Sequence, residues 1–327
     1  LNFETYNALY FKVKMLMKNI AKFFAFVISL SVFSACSAVF PSSEQFNNPN
    51  EQFSKDWEKP SVVGKIESDE ITESSGIVVS RCNENVLWTH NDSGDKAYIF
   101  ALDEKGEKLG TWKVSGAEHF DWEDIATRKE KSGECFLYIA DIGNNKRTRG
   151  EMTIYRVKEP KVSSENKSSS TKNPISTETA EAIKFDYPEM RHDAETLMIH
   201  PETGDIYVIS KRLSGAAAVY KLKAIYEKEK TNTLEKIADF EVPAIPNGFF
   251  TGGDISPDGK HVVICDYFAA YEIILPEKAK NFDEIWKQKP AMIELGKRDI
   301  GEAVGYSTDG KSIFATSERD NSLIQVR

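Results

Sequence analysis

The stretch from Asp121 to Asn145, DWEDIATRKEKSGECFLYIADIGNN, constrains the fold more than any other, because its pattern returns four more times. An acidic pair spaced D-x-E leads into a short apolar strand and a polar turn. A second apolar strand follows and ends on an acid or a small polar residue. The counterparts are Glu73–Asp92, Asp193–Arg212, Gly252–Tyr267 and Gly301–Arg319. Alternation at period two in runs of five to seven residues, broken by Gly-containing turns, is the signature of antiparallel strands. Repetition of such units at intervals of this length points to a repeat architecture.

Each unit continues into a third strand: 98–102, 153–157, 218–222, 270–274 and 322–326. Fourth strands fit Leu109–Val114, Ala182–Tyr187, Ile237–Val242 and Ala291–Leu295. The last unit reaches Arg327 with only three strands, while Val62–Glu67 precedes the first unit as a strand without a partner. A closed ring resolves both, with the N-terminal strand completing the last blade. The expected fold is therefore an all-β propeller over residues 61–327, with five blades by direct count and six as the alternative. Asp258 and Asp309, in Pro-Asp-Gly and Thr-Asp-Gly, read as turn formers. Residues 158–180 are nearly free of aromatic and apolar side chains, which predicts a disordered insert in blade 2. Residues 223–235 and 277–287 read as short helices, the second packed by Phe282 and Trp286.

The first residues read as an address. Met17 opens a stretch with Lys18 and Lys22 ahead of an apolar run from Phe23 to Phe33, then Ser34-Ala35-Cys36. This is the layout of a secretory signal rather than a membrane span. Small residues before a Cys resemble the bacterial lipobox, which implies lipidation of Cys36. Residues 1–35 are thus expected to be upstream sequence and signal peptide, and 36–60 a lipidated cysteine with a flexible tether. The expected location is outside the cytoplasm, anchored by lipid to a bacterial membrane, the outer membrane by preference since Ser37 is not Asp. Cys82 and Cys135 fall in equivalent turns of consecutive units, so a disulfide between them is geometrically possible in such a compartment. Cys265, inside a strand, reads as a buried apolar residue.

Residues 1–35 hold four Lys and one Glu, so the net charge of −9 becomes −12 once they are set aside. Nucleic acid is therefore excluded as a partner, since its binding rests on Lys and Arg against phosphate. Inner strands of a propeller line its channel, and residues two apart share a face. Asp121 with Glu123, Asp193 with Glu195, and Glu302 would then converge, with Asp254 beside the equivalent position of blade 4. Converging carboxylates repel unless protonated or neutralised. Six hard oxygen donors and no soft cluster make calcium the expected cofactor, held by Asp121, Glu123, Asp193, Glu195, Asp254 and Glu302. The competing reading is that acids at blade starts accept hydrogen bonds from backbone N–H groups and lock neighbouring blades.

Second strands end at a common rim carrying Asp92, Asp141, Lys211, Arg212, Tyr267, Glu318 and Arg319, the expected binding site for a small polar or anionic ligand. Glu123 and Glu195 are the candidate catalytic carboxylates, and His90 and His192 the candidate imidazole acid–bases. No nucleophile elbow, phosphate loop or HExxH motif is present.

The segments ESSGIVVS, LWTHNDSGD, DWEDIA, LYIADIGNN, HDAETLMI, IYVISKR, GGDISPDG and GEAVGYS resemble bacterial exported propeller lipoproteins of the phytase-like type, over residues 62–327. The resemblance implies a propeller and, for an enzyme, calcium-dependent hydrolysis of phosphoesters or esters. The dense basic cluster of calcium-dependent propeller phytases is absent; Lys211, Arg212 and Arg319 stand in its place. The blade count is also similar to that of the calcium-dependent apyrases, which hold their ion in the channel. The alternative function is a non-enzymatic module that binds a protein or glycan partner in the cell envelope.

Overall fold

The computed structural model describes residues 57–92, 94–298, 300–318 and 321–327, with Glu318 known by its backbone alone. The signal segment, Cys36, nearly all of the tether and Arg319 lie outside these residues.

Five antiparallel sheets follow one another along the chain. Blade 1 comprises Ser74–Val79, Val86–Asn91, Tyr98–Asp103 and Lys108–Ser115. Blade 2 comprises Trp122–Lys129, Cys135–Asp141, Met152–Lys158 and Glu181–Asp186. Blade 3 comprises Ala194–Ile199, Ile206–Ser210, Ala217–Leu222 and Glu235–Phe240. Gly252–Ile255, His261–Cys265, Ala269–Ile274 and Ala291–Glu294 form blade 4. Ile300–Tyr306, Ile313–Glu318 and Ser322–Val326 form blade 5. Ser61–Lys65 completes it, pairing Ser61 with Gln325 and Val62 with Ile324. The fold is the five-bladed propeller, closed by its N-terminal strand. Closure hides the edge that an incomplete last blade would leave open.

Inner strands are buried along their length, and the core lies between successive blades. Leu197 and Ile199 of blade 3, for example, share one cluster with Tyr138 and Ile154 of blade 2. Asp258 and Asp309 cap their own turns, each accepting from a Ser hydroxyl and a backbone N–H, while Gly259 and Gly310 supply the positive φ. Cys82 and Cys135 form a disulfide that joins blades 1 and 2, and Cys265 is free and buried.

Two segments differ from expectation. Residues 158–180 are ordered, with a short 3-10 helix at Ser164–Ser168 and a strand at Ile175–Thr179. That strand runs parallel to Lys108–Ser115 and extends blade 1 to five strands. Glu70 accepts from the backbone N–H and hydroxyl of Thr171, and Ser169 accepts from Thr111 N–H. A polar segment with little apolar surface is thus held by hydrogen bonds to an open sheet edge, which composition does not reveal. Residues 223–235 form no helix; Asn232–Thr233 pairs parallel to Phe185 and Asp186 at the edge of blade 2. The other expected helix is a 3-10 turn, Phe282–Lys287, burying Phe282, Ile285 and Trp286.

The last tether residues are docked. Trp57 donates its Nε1–H to Glu272 at 2.9 Å and tilts against Tyr306.

Candidate functional site

Inner strands begin and second strands end at one face of the ring, the mouth. In four blades the ladder between these strands slips by one residue near the mouth: between Ser74 and Gly76, Trp122 and Asp124, Ala194 and Thr196, and Gly301 and Ala303. The residue left unpaired in each is Ser75, Glu123, Glu195 or Glu302. A bulge re-aims the side chain that it frees, so the second acid of D-x-E leaves the regular alternation. Blade 4 has no such slip, and Gly252 and Gly253 pair in register.

The result is a cluster of five carboxylates. Oxygens of Asp92, Asp121 and Glu123 lie within 4.8 Å of one another, as do those of Glu123, Asp193 and Glu195. Glu123 belongs to both groups. Burial, then Glu195 and Asp92, push its carboxyl well above the ordinary range. Asp121 is pushed up to about 6 by burial and by Asp92, against the pull of Arg149. Burial raises Glu195 to about 8, with the Lys211 ammonium acting in the opposite direction and Asp193 reinforcing the rise. All of these donors are carboxylate oxygens, the set that a hard divalent cation takes.

The DIGNN turn holds the cluster in place. Gly143 N–H donates to Asp121 O at 3.1 Å, and Asn144 N–H donates to the Asp193 carboxylate at 2.8 Å. The Asn144 side chain donates to the carbonyls of His192 and Arg149. A Cβ at Gly143 would collide with the carboxylates of Glu123 and Asp121, so a side chain there would push the acids aside. Gly143 and Asn144, inside the DIGNN motif, and Arg149, outside any motif, are thus site residues that the sequence pattern did not assign.

Lys211 is the cation of the mouth. Its ammonium pairs with Glu195, lies 4.3 Å from the Phe249 ring centre and 3.5 Å from the Tyr267 hydroxyl. Burial alone would lower its pKa, but Glu195 and Glu302 more than offset that, and the group stays protonated. Glu302 belongs to neither acid group, and its charge acts on Lys211 and Tyr267.

Other expected site residues serve elsewhere. Asp254 is a blade lock: its carboxylate accepts from Ile255 N–H at 2.8 Å and from Tyr306 N–H of blade 5 at 2.9 Å, with Arg81 at 3.6 Å. Asp124 does the same between blades 2 and 3, accepting from Ile125 and Leu197. The blade-locking reading therefore holds at Asp124 and Asp254, whereas the acids of the mouth converge on one another. Asp141 is a support, paired with Arg149 at 2.7 Å and accepting from the N–H groups of Phe120 and Asp121. His90 is wholly buried, its Nδ1 2.9 Å from Asn91 O and its ring edge-on to Trp122; burial lowers it to about 4. His192 lies 2.7 Å from the Tyr220 hydroxyl among Tyr187 and Glu189, and burial lowers it too. Each imidazole is thus packed into a core and serves there, not at the carboxylates. Arg212 bridges to Gly248 through its backbone, and its Nε lies 3.4 Å from Ser214 O.

A cavity of about 540 Å³ lies at the opposite face, walled by Trp57, the turns at Asp258 and Asp309, Lys311 and Arg327. Its buried acid is satisfied: Glu272 takes bonds from Trp57, His261 and Tyr306. The mouth, by contrast, holds like charges in contact, and is the stronger candidate.

No family model matches the chain, and no curated protein does. Among solved structures, hydrazine synthase of Kuenenia stuttgartiensis superposes with a TM-score of 0.44 at 13% identity, covering 80% of this chain and 96% of that one. A nidogen/laminin complex gives 0.44 at 13% identity, covering 78% and 75%.

Proposed function

We propose that the mouth is a divalent-cation site, calcium being the ion that its all-oxygen donors suit, and that it receives a small polar or anionic ligand. One observation carries this: the Glu123 carboxylate is common to two groups of acids whose oxygens lie within 4.8 Å. Such a set is strained by repulsion unless protons or a cation intervene. Asp92, Asp121, Glu123, Asp193 and Glu195 would hold the ion. When bound, it would neutralise charge on a ligand oxyanion. Hydrolysis of a phosphoester or ester is the reaction these groups suit. One of Asp121, Glu123, Asp193 or Glu195 would activate water. Lys211 would neutralise charge at the leaving oxygen. The export signal and Cys36 support placing this activity outside the cytoplasm, on a lipid anchor.

The test is calorimetric titration of the purified protein with calcium, followed by a phosphoester and ester screen. Absence of any calcium-dependent heat at millimolar concentration sinks the cation site. Unchanged turnover in Glu123→Ala and Glu195→Ala proteins removes the hydrolytic role.

A second reading, a protein- or glycan-binding module of the envelope, draws on a separate observation. Loops at the mouth expose Phe120, Met190, Leu213, Ile245 and Phe268, at 59–94% of their full areas. Exposed apolar residues gathered on one face mark interaction surfaces. Capture of an envelope partner that is lost in the Phe120→Ser, Phe268→Ser double variant but not in Glu123→Gln would favour it.

A further inference from the structure

Arg298 lies in the loop that joins the outer strand of blade 4 to the inner strand of blade 5, at the mouth end of the ring. It is 8% exposed. Its Nη2 donates to the Asp266 carbonyl at 2.8 Å, while Nε and Nη1 are buried and have no hydrogen-bond partner. Among the described residues no carboxylate lies within ion-pair distance of it. Gly301 makes room for the group: a Cβ there would come within 2.2 Å of the guanidinium carbon.

A guanidinium does not give up its charge, and a buried charge with unmade hydrogen bonds is strongly unfavourable. Structures keep such a group where something else completes it. Both of its contacts lie at the mouth end: Asp266 directly after the second strand of blade 4, and Gly301 at the start of the inner strand of blade 5. They are next to Tyr267 and Glu302, which are among the groups that act on Lys211. Arg298 is therefore next to the mouth, on the side of blades 4 and 5. Of the expected anion receptors, Lys211 is paired with Glu195, Arg212 turns towards Ser214 O in its own loop, and Arg319 lies outside the described residues.

We propose that Arg298 is the oxyanion receptor of the mouth, completed by a carboxylate or phosphate group of the ligand. This rests on the reading of the mouth as a ligand site, and it adds the anionic end of that ligand. The cation cluster of blades 1 to 3 and the guanidinium of blades 4 and 5 would then define two poles, suited to a ligand with one acidic group and one group that binds metal.

Thermal melting of the purified protein in EDTA tests this, with inorganic phosphate and acetate as probes. For the wild type, millimolar phosphate or acetate raises the melting temperature; the larger rise tells phosphate from carboxylate. In Arg298→Met the apparent affinity for the anion falls at least tenfold. That variant melts no lower than wild type in anion-free buffer, because the unpaired charge is gone. Arg298→Lys keeps the charge and loses donors, and gives an intermediate response should the Met variant fail to fold. A wild-type protein indifferent to both anions overturns the proposal, as does an undiminished anion response in Arg298→Met or Arg298→Lys. Because these melts contain no calcium, they stand apart from the cation site. A protein that answers phosphate but not calcium keeps this inference and loses the cation reading.

Discussion

Replacing Glu123 by Gln removes one charge and almost no volume, at the carboxylate shared by both acid groups. Two unit charges 4.8 Å apart repel by about 3.5 kcal/mol at an effective dielectric constant of about 20. Protonation already relieves part of that in the ion-free protein, since burial and its acidic neighbours push Glu123 upward. The ion-free Gln variant should therefore be as stable as wild type or slightly more so. With the cation present the same carboxylate contributes attraction of comparable size, and the variant forfeits it. A ligand at a hundredfold excess over Kd stabilises the folded state by about 2.7 kcal/mol. At roughly 2 °C per kcal/mol for a domain of this size, the wild-type melting temperature rises by about 5 °C when calcium replaces EDTA. For Glu123→Gln the expected rise is under about 1 °C. Differential scanning calorimetry of both proteins in both buffers decides the matter. A Gln variant that gains as much as wild type, or that melts well below it in EDTA, refutes the reasoning. The first outcome would mean that the acids do not share an ion, the second that Glu123 is a structural acceptor.

Without calcium, stability should fall as pH rises from about 4 to about 8. Asp121 moves from an ordinary 3.8 up to about 6 and Glu195 from 4.5 up to about 8 on folding, so the folded state holds protons that the unfolded chain has released. For Asp121 the loss is roughly 1.5 kcal/mol, after halving for a half-exposed side chain, at about 1.4 kcal/mol per pKa unit. Calcium requires the ionised forms and should flatten the decline; urea midpoints at pH 5 and pH 8 measure both. Asp254→Ala should cost about 1–3 kcal/mol by leaving the Tyr306 and Ile255 N–H groups unmatched, yet keep the full calcium response. Gly143→Ala is the converse: its Cβ enters the space of Glu123 and Asp121, and the calcium response should vanish. Loss of that response in Asp254→Ala, or its survival in Gly143→Ala, would contradict these roles.

The repeat was legible because strand periodicity, Gly turns and buried apolar runs are local properties. Local patterning was thus enough for five units, a closing strand (expected at Val62–Glu67, found at Ser61–Lys65), and turn roles for Asp258 and Asp309. It also put Asp121, Glu123, Asp193 and Glu195 on inner strands facing the channel, and Asp92 and Lys211 at the rim where second strands end, without joining Asp92 to the acids. Which acids meet was another matter. Asp124 and Asp254 directly follow the D-x-E position, and nothing local separates a carboxylate that locks a blade from one that faces the mouth. The bulges at Glu123, Glu195 and Glu302 separate them, and a bulge depends on register against the neighbouring strand. The order of residues 158–180 likewise depends on the open edge of Lys108–Ser115, a partner distant in sequence. Arg298, outside every motif, became visible only when its burial and its missing partners could be read together. Tertiary structure decided these points because hydrogen-bond satisfaction and desolvation depend on neighbours that a one-dimensional pattern does not contain.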